Sequence, residues 1–112
     1  MLTKERKQQI VALDGGRCRN CGCNKSLTVH HILPRSQGGR DNTENLITLC
    51  MFCHCCVQYG TPYLTAAEYM RDILEVWLER KSYEFRWQSV LPKIRELSIK
   101  QRERRDNVRR VD

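Results

Sequence analysis

Residues 29–54 read VHHILPRSQGGRDNTENLITLCMFCH, and this stretch sets the architecture of the chain. LTVHHIL at 27–33 is β-branched and apolar enough for a strand, and Pro34, which has no amide proton for a ladder, ends it. PRSQGGRDNTEN at 34–45 is rich in turn formers, with Gly38-Gly39 at its centre, and a loop of this length inside a small domain is usually functional. LITL at 46–49 predicts a second short strand, and MFCHCCVQYG at 51–60 a helix of two or three turns stopped at Gly60. All three histidines, His30, His31 and His54, fall in this unit. Side chains alternate across a strand, so His30 and His31 point to opposite sides. A helix packed beside them brings His54 toward only one of the two unless the strand is twisted or bulged. One histidine is then suited to bind a metal and the other to handle a proton.

The cysteines bracket the same unit. Seven occur in 112 residues, three within 18–23 and four within 50–56. An odd count without an apolar leader argues against a secreted disulfide scaffold. CxxC pairs point instead to thiolates holding a metal in a reducing, cytoplasmic compartment. Cys18-x2-Cys21 and Cys50-x2-Cys53 can converge tetrahedrally on one structural Zn2+, which at roughly 10–16 kcal/mol of apparent binding free energy offsets a small core. The set is not unique: Cys53-x2-Cys56 is also a CxxC, and Cys23 could replace Cys21. The first choice leaves His54 for another task. Cys23, Cys55 and Cys56 are in part expected as buried small apolar residues. A redox dithiol fits less well, because the thioredoxin-like pattern in which such a motif normally sits is absent.

Around this core the chain reads as helical. Thr3 caps a helix through about Leu13, with Ile10, Val11 and Leu13 as its apolar contacts and Asp14-Gly15-Gly16 as its stop. Thr65 and Glu68 have capping-box spacing, and Met70, Ile73, Leu74 and Trp77 recur at helical intervals, so a helix is expected at about 66–81. Its stripe reads as core, the alternative being a dimer surface around Ile73 and Trp77. A last helix starts near Val90, tolerates Pro92 in its first turn, and carries Lys or Arg at 93, 95, 100, 102, 104, 105, 109 and 110. Those cations either grip phosphates or form a solvated face paired with Glu96, Glu103 and Asp106. No stretch is long and apolar enough for a membrane span. Twenty Lys and Arg against thirteen Asp and Glu give +7, a field that attracts polyanions and nucleic acid first among them.

Residues 18 to about 58 resemble the HNH family of nucleases: His-His-Ile, the Gly-Gly loop, Asn-Leu and Leu-Cys-x2-Cys-His occur in order and at family-like spacing. The resemblance implies an α+β fold with a small ββα-metal (His-Me finger) core, clipped by a four-cysteine zinc site and flanked by N- and C-terminal helices. It implies a single nuclease domain over 1–112, with an N-terminal helix at 1–16, the zinc-clipped core at 17–60 and a basic helical extension at 61–112. Carried over by position, His30 and His54 match the ligands of a catalytic Mg2+ or Mn2+, His31 the general base, and Asn45 the central Asn that braces the loop and helps orient that base. Cys18, Cys21, Cys50 and Cys53 match the zinc-binding subgroup. Many members have a further His four residues after the helix ligand; here that position is Gln58, which leaves an open shell suited to hard ions. Arg35 and Arg40, beside the site, are candidate contacts to DNA phosphates. The implied function is a metal-dependent endonuclease of a bacterial or phage-encoded chain. It would act on double-stranded DNA by a one-metal mechanism, leaving 5'-phosphate and 3'-hydroxyl ends, as nicks or, with a homodimer or partner, as double breaks. The competing reading is a noncatalytic zinc module that binds nucleic acid.

Overall fold

The computed structural model of the chain describes residues 2–80 and 85–109, which fall into two compact units, residues 1–55 and 56–112. The expected helix end at Lys81 and the basic position Arg110 lie outside the described residues.

In the first unit, α1 (Lys4–Leu13) starts where Thr3 accepts the Arg6 N–H at 3.1 Å and stops at Asp14. Gly15 and Gly16 follow in the left-handed region that favours glycine. Ile10 is buried, but Leu13 is 54% exposed, contrary to the expectation that it packs. The buried edge of α1 runs instead along Ile10 and Asp14, one turn apart. The Asp14 carboxylate accepts the Thr48 N–H at 2.9 Å and the Arg19 Nε–H at 3.0 Å. Leu13 lies off that edge.

β1 (Leu27–His31) and β2 (Leu46–Cys50) form an antiparallel pair, with His30 opposite Ile47 and His31 opposite Leu46. The first strand ends two residues short of the predicted 27–33. Asn45 takes over its pairing there: the Ile32 N–H donates to the Asn45 carbonyl and the Leu33 N–H to its side-chain oxygen, both at 2.8 Å. Every residue of β2 is buried, which accounts for its unbroken LITLC run in place of an alternating one. α2 (Met51–Tyr59) follows β2 without a loop, completing a ββα unit.

In the second unit, α2 ends at Gly60, whose φ of +79° and close approach to the Leu64 carbonyl both require glycine. α3 (Ala66–Arg80) and α4 (Leu91–Arg109) pack as a helical hairpin. The capping box forms as expected, Thr65 Oγ1 accepting the Glu68 N–H at 3.2 Å and Glu68 Oε1 the Thr65 N–H at 2.9 Å. Met70, Ile73 and Leu74 are buried in the same unit as Leu91, Ile94 and Leu97, so Ile73 is core; Trp77 packs edge-on against Trp87. Arg102 forks onto Glu68 at 3.0 and 2.5 Å, and this pairing brings the Glu68 carboxyl down to about 2. Among the described residues no helix is long and apolar enough to cross a membrane.

Candidate metal centres and histidine site

The knuckle after α1 and the β2–α2 junction bring four thiols together. Cys18, Cys21, Cys50 and Cys53 each present a sulfur within 4.8 Å of the others, with Cys21 and Cys50 at 3.6 Å. Ligands at the usual zinc–sulfur length lie about 3.8 Å apart in a tetrahedron, so this donor set fits Zn2+. The surroundings favour sulfur anions. The Asn20 and Cys21 N–H groups point at Cys18 Sγ at 3.4 and 3.5 Å, and the Asn20 amide donates to Cys53 Sγ at 3.3 Å. Burial pushes the Cys18 thiol up, but the backbone donors outweigh it and bring it down to about 7. Burial and the neighbouring sulfurs push Cys53 up, as expected when like charges share a site without a cation. Cys23 and Cys56 are outside the group, which closes the alternatives left by spacing. Cys23 and Cys55 are exposed, not buried as small apolar residues. Neither a turn of three polar residues nor the outward side of α2 offers them a core to enter.

On the β1 face toward α2, His30 Nδ1 and His54 Nε2 stand 3.3 Å apart, the rings edge to face with centroids 4.6 Å apart. The helix thus brings His54 to His30 and not to His31. Thr28, two residues before His30 and so on the same face, fixes the His54 tautomer. Its hydroxyl donates its one proton to the Leu49 carbonyl at 2.8 Å and so accepts from His54 Nδ1–H at 2.7 Å. The Nε2 lone pair of His54 is thereby turned toward His30. Burial, and then the neighbouring His54 and His31, hold His30 down to about 4, neutral at physiological pH. Two neutral ring nitrogens on one ion lie about 3.0 Å apart in octahedral and about 3.4 Å apart in tetrahedral geometry, so the pair fits a divalent cation.

His31, last residue of β1, faces the other way. Its Nε2 is 2.6 Å from Asp41 Oδ1, and Asp41 Oδ2 accepts from Arg35 at 2.8 Å. The His31 hydrogen bond, and then Arg35, hold the Asp41 carboxyl below the usual carboxylate range. Asp41 is therefore the acceptor and His31 Nε2–H the donor, which leaves Nδ1 as the ring nitrogen outside this bond. Asn45 is buried and ties the loop to itself, its amide donating to the Leu33 and Arg40 carbonyls at 3.0 and 2.9 Å. The loop closes so tightly that a Cβ at Gly39 would sit 1.8 Å from the Leu33 oxygen, and Gly38 before it turns with a φ of +88°, so each position calls for glycine for its own reason. Arg40 is exposed, whereas Arg35 is half committed to Asp41.

Thr28, Asp41 and Asn20 escaped the reading of the sequence, and Asp14 was read there only as part of a helix stop. Thr28 had one usable signal, its i, i+2 relation to His30. Asp41 had none, because only the closed loop brings it to His31.

The HNH endonuclease family profile matches residues 18–58. The chain is similar to the type IV methyl-directed restriction enzyme EcoKMcrA of Escherichia coli (strain K12), at 39% identity over 63 residues, covering 48% of this chain and 23% of that protein. It is also similar to Anaredoxin of Nostoc sp. (strain PCC 7120), at 33% identity over 52 residues, covering 46% of this chain and 68% of that protein. The match thus spans under a quarter of the restriction enzyme's length.

Proposed function

The chain belongs to the HNH endonuclease family, and from that premise we propose that it is a metal-dependent DNA endonuclease whose reacting groups lie on β1 and α2. The observation that carries the reading is the opposed orientation of neighbouring histidines. His30 converges with His54 on one side of β1, while His31 is hydrogen-bonded to a carboxylate on the other.

In this reading His30 and His54 hold a Mg2+ or Mn2+ ion, which when bound supplies Lewis-acid polarisation of a phosphodiester. His31 accepts a proton at Nδ1 from the attacking water, since Nε2 is committed to Asp41. Asp41 aligns the ring and favours the imidazolium that results. Asn45 keeps the loop closed so that Asp41 stays in place. It acts as a positioning residue, because its amide bonds go to backbone and not to the base. Arg40 is available to a neighbouring phosphate, and Arg35 serves as the second anchor of Asp41 before any contact with DNA. Zinc on the four cysteines is structural, fixing the β2–α2 junction from which His54 projects.

The test is incubation of the full chain with supercoiled plasmid and a series of divalent ions, with His31→Ala alongside. Nicked or linear plasmid is expected only with Mg2+ or Mn2+. His31→Ala is expected to fold and bind DNA with its cutting rate reduced roughly 10²–10⁴-fold. Cutting by His31→Ala at the wild-type rate removes His31 from the base role. Binding without any scission supports a noncatalytic zinc module instead.

A further inference from the structure

The second unit holds a cleft of about 550 Å³ that the chemistry above does not use. One wall is α4, through Gln101, Arg104, Arg105 and Val108; the other is the end of α2, through Gln58 and Tyr59, with the start of α3 as floor. The four α4 residues follow the i, i+3, i+4, i+7 pattern and so form one stripe of the helix.

That stripe continues the one which packs the hairpin. Leu91, Ile94, Leu97 and Ser98 are buried, and one turn later Gln101 Oε1 accepts the Ala67 N–H at 2.8 Å, in the first turn of α3. α3 begins there, so α4 outruns its partner by two turns. An overhang meant for more core, or for a second copy of the chain, would keep the apolar pattern. Here the pattern switches to Gln101, Arg104 and Arg105, leaving Val108 as the aliphatic part of that wall. Arg105 is held across the cleft by a hydrogen bond to the Thr61 carbonyl at 2.9 Å, which orders its guanidinium without neutralising it. Arg104 is exposed and makes no ion pair among the described residues. Tyr59 is 72% exposed at the rim and offers an aromatic face and a hydroxyl. With a chain charge of +7, a second copy would meet this cleft with repulsion.

Two cations, amide groups and an exposed tyrosine match the phosphodiester strand of a nucleic acid. We propose that the cleft between the overhanging end of α4 and the end of α2 is a binding site for the backbone of the DNA being cut. Arg104 and Arg105 contact phosphates, and Tyr59 packs on the sugar–base edge. The proposal rests on the nuclease reading and adds where the second unit takes hold of the substrate.

The experiment compares Arg104→Ala, Tyr59→Ala and Lys93→Ala in the full zinc-loaded chain. Lys93, on the same helix, is also exposed and lacks an ion pair among the described residues, so it removes the same charge outside the cleft. Binding to a fluorescent duplex is followed by anisotropy across a salt series without added Mg2+ or Mn2+, and hydrolysis of bis(p-nitrophenyl) phosphate with Mn2+ reports the histidine site alone. Arg104→Ala is expected to weaken duplex binding about fivefold and lower the salt slope by about 0.9. Tyr59→Ala is expected to weaken it with little change in slope, Lys93→Ala to match wild type, and all three to hydrolyse the small ester at the wild-type rate. Equal effects of Arg104→Ala and Lys93→Ala, unchanged affinity in both cleft variants, or no duplex binding by wild type would each overturn the proposal. Wild-type chain that binds through Arg104 yet hydrolyses neither the small ester nor the supercoiled plasmid upholds the cleft and refutes the nuclease reading. Hydrolysis that persists with indifferent cleft variants does the reverse.

Discussion

The two units solve the problem of small size by different means. The first packs a two-stranded sheet of five-residue strands with Asp14, Asn45 and Thr48 buried beside its apolar side chains, and gathers four cysteines at one end of it. The second closes a helical hairpin over an apolar core with a forked ion pair at its end. In the ββα unit bonded polar groups and a four-cysteine cluster suited to zinc share with its apolar core the task of fixing three histidines in place. The hairpin buries bonded polar groups as well, Thr65, Glu68 and Ser98, but has no cysteine cluster among the described residues. Its surface is left free to carry charge.

This contrast can be broken most severely by removing zinc. Chelation is expected to withdraw support on the order of 10 kcal/mol from the first unit. Amide exchange should then lose protection in β1, β2 and the Asn45 loop while α3 and α4 keep theirs. Both tryptophans, Trp77 and Trp87, lie in the second unit, so their fluorescence should hardly move. Simultaneous collapse of both would refute the division.

A smaller effect is expected in the hairpin from Glu68→Gln, which takes away the carboxylate that Arg102 forks onto and leaves it Asp106 as its carboxylate partner; the midpoint of tryptophan-monitored thermal unfolding should fall by a few degrees. The sign with pH follows from the lowered carboxyl. Wild type keeps this contribution above the ordinary value near 4.5 and loses it as pH falls toward about 2. Glu68→Gln should lack that acid-side decline, and a parallel decline in both proteins would assign it to other groups.

Smallest is the effect of Thr28→Val. Without the hydroxyl that orders His54, divalent-ion affinity by titration calorimetry is expected to fall about tenfold with zinc content unchanged. Unaltered affinity would show that the tautomer is set elsewhere.

Much of the fold was legible because its signals are local. Thr3, Thr65 and Glu68 cap the helices they were expected to cap, and Gly60 stops α2. The four-cysteine set was legible by spacing, though only the closed structure excluded Cys23 and Cys56. The strand end at His31 was not legible. The pairing of Ile32 and Leu33 is taken over by Asn45, a residue brought there by the loop and not by propensity. Leu13 was misplaced because a charged residue, Asp14, occupies the buried edge, where its partners are a strand amide and a guanidinium far along the chain or across a turn.

The order of residues alone determined which side chains could serve: two CxxC pairs, adjacent histidines on a strand, a third on the following helix, and a glycine pair able to turn tightly. Their chemistry and spacing are properties of the covalent chain. Tertiary closure decided the rest, turning His54 to His30 through Thr28, giving His31 to Asp41, and leaving the cationic end of α4 without a helix to cover it. Those outcomes depend on which distant groups meet and desolvate one another, and that is settled only when the loop and the hairpin have closed.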